Sequence, residues 1–207
     1  MFFVFKSFKK VVETQSGQKV KVLRTDNGGD YTSKEFNVFC QEAGIVHQLT
    51  APYSPQQNGV SEKKNRTVME MARCMQFEKK LPKLLWAEAN NTSVYLLNRL
   101  PTKFVQSKTP IEAWSGEKPS VKHLKVFGSL CYLHVPSIKR GKLDERAEKC
   151  VFVGYAAESK GYRIYSLSRM KIVKVEMCTL MKIPTGIGTR RKSINVIKPL
   201  HLFLNQQ

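Results

Sequence analysis

At 207 residues, with 35 Lys plus Arg against 16 Asp plus Glu, the chain carries a formal net charge of +19 at pH 7. Hydrophobic residues make up 42% and charged residues 25%, which fits one ordinary domain or two small ones and excludes wholesale disorder. A pI near 9.9 points to a polyanionic partner, nucleic acid ahead of an anionic membrane surface, although a solvated basic surface would give the same balance.

Met1 to Phe5 is apolar, but Lys6 cuts the run short of a signal-peptide core, and no apolar stretch nears the roughly 18–20 residues of a membrane span. An intracellular chain with no membrane partner is expected. Residues 2–13 set Phe5, Phe8, Val11 and Val12 at helical spacing. After a turn at Gln15 to Gln18, Lys19 to Arg24 alternates like a strand and stops at Asp26-Asn27-Gly28-Gly29. Ser33 can cap a helix whose apolar positions are Phe36, Val38, Phe39 and Ala43 and whose stop is Gly44. Ile45 to Leu49 is a short strand, followed by the turn-rich Tyr53-Ser54-Pro55-Gln56-Gln57-Asn58-Gly59. Val60 to Phe77 is the clearest helix, with Val68, Met71, Ala72 and Met75 in helical register. Pro82 starts another, in which Leu85, Trp86, Ala89, Val94, Leu97 and Leu100 can face inward, and Pro101 ends it. Thr109 to Trp114 supports one more short helix, and Gly116 to Ser120 reads as a domain boundary.

Beyond that point the pattern changes. Val126 to Val135, Cys150 to Ala156, Tyr162 to Leu167 and Lys171 to Met177 are short runs rich in Val, Ile, Tyr and Phe, punctuated by Gly128, Gly141, Gly154 and Gly161. They predict a small antiparallel barrel or sandwich. This part is also the more basic: residues 121–207 hold 17 basic and 5 acidic residues, against 18 and 11 in residues 1–120. Residues 183–207 show no period and read as a loose basic tail. Cys40, Cys74, Cys131, Cys150 and Cys178 are odd in number and far apart, so neither a zinc site nor a disulfide framework is indicated, and reduced thiols are expected. His47, His123, His134 and His201 are equally scattered and read as core or surface residues.

Two carboxylates stand out. Asp26 lies where a strand ends at a turn, Glu62 lies in the first turn of the strongest helix, and 35 residues separate them. Read singly, Asp-Asn-Gly-Gly is a turn signal, and Glu62 is an acid favoured by the helix dipole or half of an i,i+4 pair with Arg66. Read together, the strand, helix, strand and loop between them can bring helix start and strand end side by side. Paired carboxylates there suit a divalent cation with hard oxygen ligands, and two Mg²⁺ about 3.5–4 Å apart would stabilise both oxygens of a phosphoryl transfer.

Thr25-Asp26-Asn27-Gly28-Gly29-Asp30-Tyr31, followed by Tyr53 to Arg66, resembles the retroviral-type integrase catalytic core, most closely that of copia-type LTR retrotransposons. Leu85-Trp86-Ala87-Glu88-Ala89, Tyr95 to Pro101, Val126-Phe127-Gly128, Val153-Gly154-Tyr155 and Lys160-Gly161-Tyr162-Arg163 fit the same group, so the likeness runs from about residue 2 to about residue 175. The resemblance implies an α/β fold: a ribonuclease-H-like integrase core, partial at its N-terminus, over residues 1–116, then an SH3-like β-barrel over 121–180. It also implies an Asp, Asp, Glu triad holding two Mg²⁺ or Mn²⁺, in which Asp26 matches the second aspartate and Glu62 the glutamate. Tyr53, Gln57 and Asn58 match the loop beside the active site that contacts the DNA end. Lys63, Lys64 and Arg66 follow on the catalytic helix and can contact phosphates, although a solvated helix face would look the same.

The departures shape the functional expectation. Only Glu13 is acidic among the 25 residues before Asp26, and it falls in a helical pattern, so the first aspartate of the triad has no match. The family's His/Cys zinc module has none either, and Val175-Glu176-Met177-Cys178 stands where an acid-bearing final strand is usual. The expected function is that of a retrotransposon integrase fragment that binds LTR-end and target DNA, acts in the nucleus if functional, and lacks autonomous catalysis. The alternative is a non-catalytic nucleic-acid-binding module. A generic RNA-binding protein is disfavoured, since the aromatic signatures of RNA recognition are missing. Oligomeric state, a homo-oligomer included, is left open.

Overall fold

The N-terminal periodicity becomes helix α1 (Phe2–Ser16) in the computed structural model, which describes residues 2–51, 58–176 and 180–181. The helix packs through its first turns. Phe2 and Phe5 set their rings 5.2 to 6.3 Å from Phe36 and Phe39. Phe8 and Val11, expected on the packed face, are exposed, because the contact ends a turn before them. Gly17, at φ +65°, turns the chain, and the Glu13 carboxylate accepts from Lys9 and from the Val20 backbone N–H, tying helix to returning chain.

Strand β1 (Val22–Thr25) pairs in parallel with β2 (Val46–Leu49), Val22 opposite Val46 and Thr25 opposite Leu49. The strand begins three residues later than its alternation suggests, because the ladder extends only as far as β2 reaches. Between them lie a single turn, α2 (Gly29–Thr32), and α3 (Lys34–Glu42). As expected, the Ser33 hydroxyl caps α3 by accepting from Phe36 N–H, and Gly44 closes it at φ +65°. Phe36, Cys40 and Ile45 form the buried centre of this β-α-β unit. The 20-residue α4 (Gly59–Glu78) follows, and the chain divides into two compact units at Arg66/Thr67, within that helix.

The second unit begins with the C-terminal half of α4. Pro82 precedes a 3-10 turn, Lys83–Leu85, that runs into α5 (Trp86–Leu97). Leu85 and Ala89 are buried, but Trp86, Val94 and Leu100, expected inward, are exposed. The inward face of α5 is instead polar: Glu88, Thr92 and Ser93 are buried there. Their polar atoms are satisfied, with Ser93 Oγ donating to Ala89 O and Thr92 Oγ1 to Val153 O. The helix ends at Asn98, ahead of Pro101, and α6 (Pro110–Ser115) starts on a Thr109/Glu112 capping box.

Strands β3 (Leu130–His134), β4 (Ala147–Tyr155), β5 (Gly161–Ser166), β6 (Lys171–Glu176) and β7 (Leu180–Met181) form one antiparallel sheet in the order β6-β5-β4-β3-β7. Strand β4 is buried on both faces, which is why its sequence is a continuous apolar run rather than an alternating one. Val151 and Val153 pack with Ala72, Leu85, Ala89, Phe127 and Tyr165; Cys150 and Phe152 pack with Cys131, Tyr162 and Ile164. The pattern change at 116–120 and the division of contacts thus fall at different points, because α5 shares a core with the sheet. Cys40, Cys131 and Cys150 are buried free thiols and Cys74 an exposed one, while Cys178 and the tail at 183–207 lie outside the described residues. Burial pushes the Cys131 thiol up to about 12 and Cys150 up to about 11, leaving both as neutral core side chains.

Two devices hold α5 on the sheet. The Arg163 Nε and Nη2 donate to the two Glu88 carboxylate oxygens, each at 2.6 Å. Gly154, at a β-bulge and φ +146°, lets Thr92 approach: a Cβ there would lie 2.6 Å from Thr92 Oγ1. Glu88→Gln should lower unfolding stability by about 2 kcal/mol, since it leaves the half-buried Arg163 guanidinium without its counter-charge. Gly154→Ala should cost about 2 kcal/mol through strain and collision. Urea unfolding at unchanged m-value checks both, and a loss below 0.5 kcal/mol in either would refute its assigned role.

Candidate active site

The end of β1 is bound to the end of β2 by the residues of Thr25-Asp26-Asn27-Gly28 themselves. Asn27 Nδ2 donates to Thr50 O at 2.9 Å, extending the ladder bond from Thr50 N–H to Thr25 O by a side chain. Asp26 leaves the strand exposed, and its Oδ1 accepts from Gly28 N–H at 3.1 Å. That local turn fixes one carboxylate oxygen and leaves the other open. A Cβ at Gly28 would come within 3.0 Å of Asp26 Oδ1, so glycine suits the position.

Beneath Asp26 lies a polar relay that motif reading alone misses. The buried Thr25 hydroxyl donates to Asp26 O at 3.0 Å and sits 2.8 Å from His47 Nε2. Having given its one proton to the carbonyl, Oγ1 accepts from Nε2–H. The other ring nitrogen faces Asn37 Oδ1 at 3.3 Å, and Phe36 packs edge-on to the imidazole. His47, expected to be a core or surface histidine, is thus a half-buried structural one. Its only sequence signal is register: it stands two residues before Leu49, the partner of Thr25.

Glu62 lies in the first turn of α4, as its sequence position predicts, and is exposed, as are Lys63, Lys64 and Arg66. No ion pair joins Glu62 to Arg66 among the described residues. Asn58 is half-buried just ahead of the helix, while Tyr53 and Gln57 lie outside the described residues. Both carboxylates have the chemistry of hard-cation ligands. However, no three or more His, Cys, Asp or Glu side chains gather as a metal-binding group among the described residues. The donor set present among the described residues does not fit a complete two-ion centre.

With this geometry in hand, the class of protein is defined. Residues 3–55 match the family model described as "Integrase core domain", and residues 129–180 match "Retroviral polymerase SH3-like domain". The fold is accordingly α/β, with a ribonuclease-H-like integrase core followed by a small SH3-like domain. The chain belongs to the retroviral-type integrase family, in the company of retrotransposon Pol polyproteins of plants. It is 44% identical over 174 residues to the retrovirus-related Pol polyprotein from transposon TNT 1-94 of Nicotiana tabacum, matching 84% of this chain and 13% of that one. To the corresponding polyprotein from transposon RE2 of Arabidopsis thaliana it is 34% identical, over 75% of this chain and 10% of that one. The chain thus spans about a tenth of the length of these relatives. A simian T-cell lymphotropic virus intasome, solved by cryo-electron microscopy with PP2A regulatory subunit B56 gamma, aligns at a TM-score of 0.42 and 20% identity. That alignment covers 83% of this chain and 60% of the matched one. No helix among the described residues is long and apolar enough to cross a membrane.

The relay beneath Asp26 predicts that Thr25→Val, nearly isosteric, will leave His47 Nε2–H without its acceptor. Stability should fall by about 1–2 kcal/mol, and the His47 ring resonances in a ¹⁵N NMR spectrum should shift. Unchanged ring resonances would remove Thr25 from the relay.

Proposed function

We propose that this chain is the DNA-binding part of a copia-type retrotransposon integrase, carrying two of three catalytic carboxylates and inactive by itself. The observation that carries the proposal is the placement of Asp26 at the end of β1 and Glu62 in the first turn of α4, with 35 residues between them, each exposed. In this reading Asp26 and Glu62 are ligands for Mg²⁺ or Mn²⁺ in a site completed by a further carboxylate from outside the 207 residues. The Thr25–His47 relay holds the Asp26 backbone in place. Lys63, Lys64 and Arg66 contact phosphates of an LTR end or a target duplex, with Tyr53, Gln57 and Asn58 in the preceding loop against the DNA end. The division of labour falls between a core, residues 1–116, and a basic SH3-like domain, residues 121–180, and the site of action is the nucleus. Assembly as a homo-oligomer belongs to the same reading. A second reading is a binding module with no catalytic role, supported by the net charge of +19.

Binding to duplex DNA should be weak, tolerant of sequence and driven by phosphate neutralisation, with log affinity falling linearly against log salt. Replacing Lys63, Lys64 and Arg66 by Glu should weaken binding and flatten the slope by about 0.9 for each lost phosphate contact. Affinity that does not change between dilute and physiological salt would overturn this part.

The two readings separate in a strand-transfer assay with Mg²⁺ or Mn²⁺ and short LTR-like duplexes. The chain alone should neither trim 3′ ends nor join them. A version extended by an N-terminal core segment that supplies an aspartate should do both and lose both on Glu62→Gln. Activity of the unextended chain that Glu62→Gln abolishes would refute its incompetence alone. Inactivity of a folded extended version would favour the binding module.

A further inference from the structure

A cavity of about 1000 Å³ in the second unit is bounded by α5, the 119–123 segment and the β4–β5 connection. It contains none of the residues considered above for catalysis or DNA contact. Its wall is a fixed stack. The Tyr95 ring lies 4.1 Å from Tyr155 at an interplanar angle of 15°, and the Arg99 guanidinium carbon sits 3.5 Å from the Tyr95 centroid. Both faces of Tyr95 are therefore occupied. Arg99 Nη1 donates to Tyr95 O at 3.0 Å, which pins the fork one helical turn from its own backbone anchor.

The electrostatics of this wall are unbalanced. Arg99 Nε is buried with no hydrogen-bond acceptor, and no carboxylate is within ion-pair reach of the guanidinium among the described residues. His123 Nε2 is 2.7 Å from the Tyr95 hydroxyl. Burial first, and then the Arg99 charge, lowers the His123 pKa, so the ring adds no second positive charge at neutral pH. Lys122 and Lys160 stand exposed at the rim. Glu158 is the one acid in the lining, and its carboxylate is held by Lys174 at 2.9 Å.

A half-buried guanidinium whose Nε is buried without an acceptor is costly unless an anion meets it. Its planar fork matches phosphate oxygens, and its immobilisation by the Tyr95 stack removes much of the entropy otherwise lost on binding. The occupied ring faces leave no platform for a base, so recognition rests on charge and hydrogen bonding. We propose that this cavity is a phosphate-recognition site in which Arg99 is the central ligand and Lys122 and Lys160 supply the rim charge. The occupant is a phosphodiester of nucleic acid or the phosphate of a soluble molecule. The site is independent of the Asp26 and Glu62 assignment.

The test is calorimetric titration of the full chain with sodium pyrophosphate. Saturable binding is expected, weakened at least tenfold by Arg99→Gln, by Arg99→Lys, and by Lys122→Gln with Lys160→Gln. The lysine pair is exposed, so its thermal melt should match the parent and the test survives if Arg99 variants fail to fold. Lys63→Gln with Lys64→Gln should leave pyrophosphate affinity unchanged, which separates this site from the one proposed on α4. Displacement of pyrophosphate by a 20-base-pair duplex identifies the phosphodiester as occupant, and failure to displace it identifies a soluble phosphate; either result supports the site. No saturable binding at millimolar pyrophosphate, or equal affinity in the folded lysine-pair variant, overturns it.

Discussion

The fold of the second unit depends on how closely α5 can lie against β4. A helix with a polar inward face has no reason to dock on a sheet unless each buried polar group finds a partner. Here each one does. Glu88 meets Arg163 through two parallel hydrogen bonds, Thr92 bonds the Val153 carbonyl, and Ser93 bonds back along its own helix. The approach is allowed only because residue 154 has no side chain. Three motifs that look unrelated along the sequence, around Glu88, Gly154 and Arg163, are therefore parts of one contact.

That contact has consequences on both sides. It covers the second face of β4, which turns Cys150 to Val153 into a two-sided core strand and leaves Cys131 and Cys150 as buried, neutral thiols opposite each other in the β3–β4 register. It also sets Tyr95, two turns along α5, against Tyr155 at the end of β4, and so creates the aromatic stack that holds Arg99. Placing a charge on an aromatic face rather than against a carboxylate leaves a cation that is ordered but not neutralised.

The first unit solves a different problem with fewer residues. Two four-residue strands give a short parallel ladder, and the turn that follows must stay fixed without a long sheet behind it. Side chains extend the ladder: Asn27 bonds the far strand, and Thr25 is gripped between the Asp26 carbonyl and His47. The aromatic packing of Phe2, Phe5, Phe36 and Phe39 supports this from below.

Local chemistry in the sequence determined most of the helices and strands, the Ser33 cap, the glycine stop at Gly44, and the positions of Asp26 and Glu62, because these depend on neighbours within a turn or two. The motif residues themselves, from Thr25 to Tyr31 and from Tyr53 to Arg66, carried the resemblance to the family. Which apolar residues are buried was decided by tertiary structure. Phe8, Val11, Trp86 and Val94 satisfy helical periodicity yet face solvent, since a period shows that a face exists and not which partner covers it. Inward Glu88 and Thr92 contradict the hydrophobic pattern of α5, and only partners 61 and 75 residues away make them tolerable. The relay through His47 and the unpaired Arg99 were illegible for the same reason: hydrogen bonding and desolvation are set by distances in space, and the sequence records only distances along the chain.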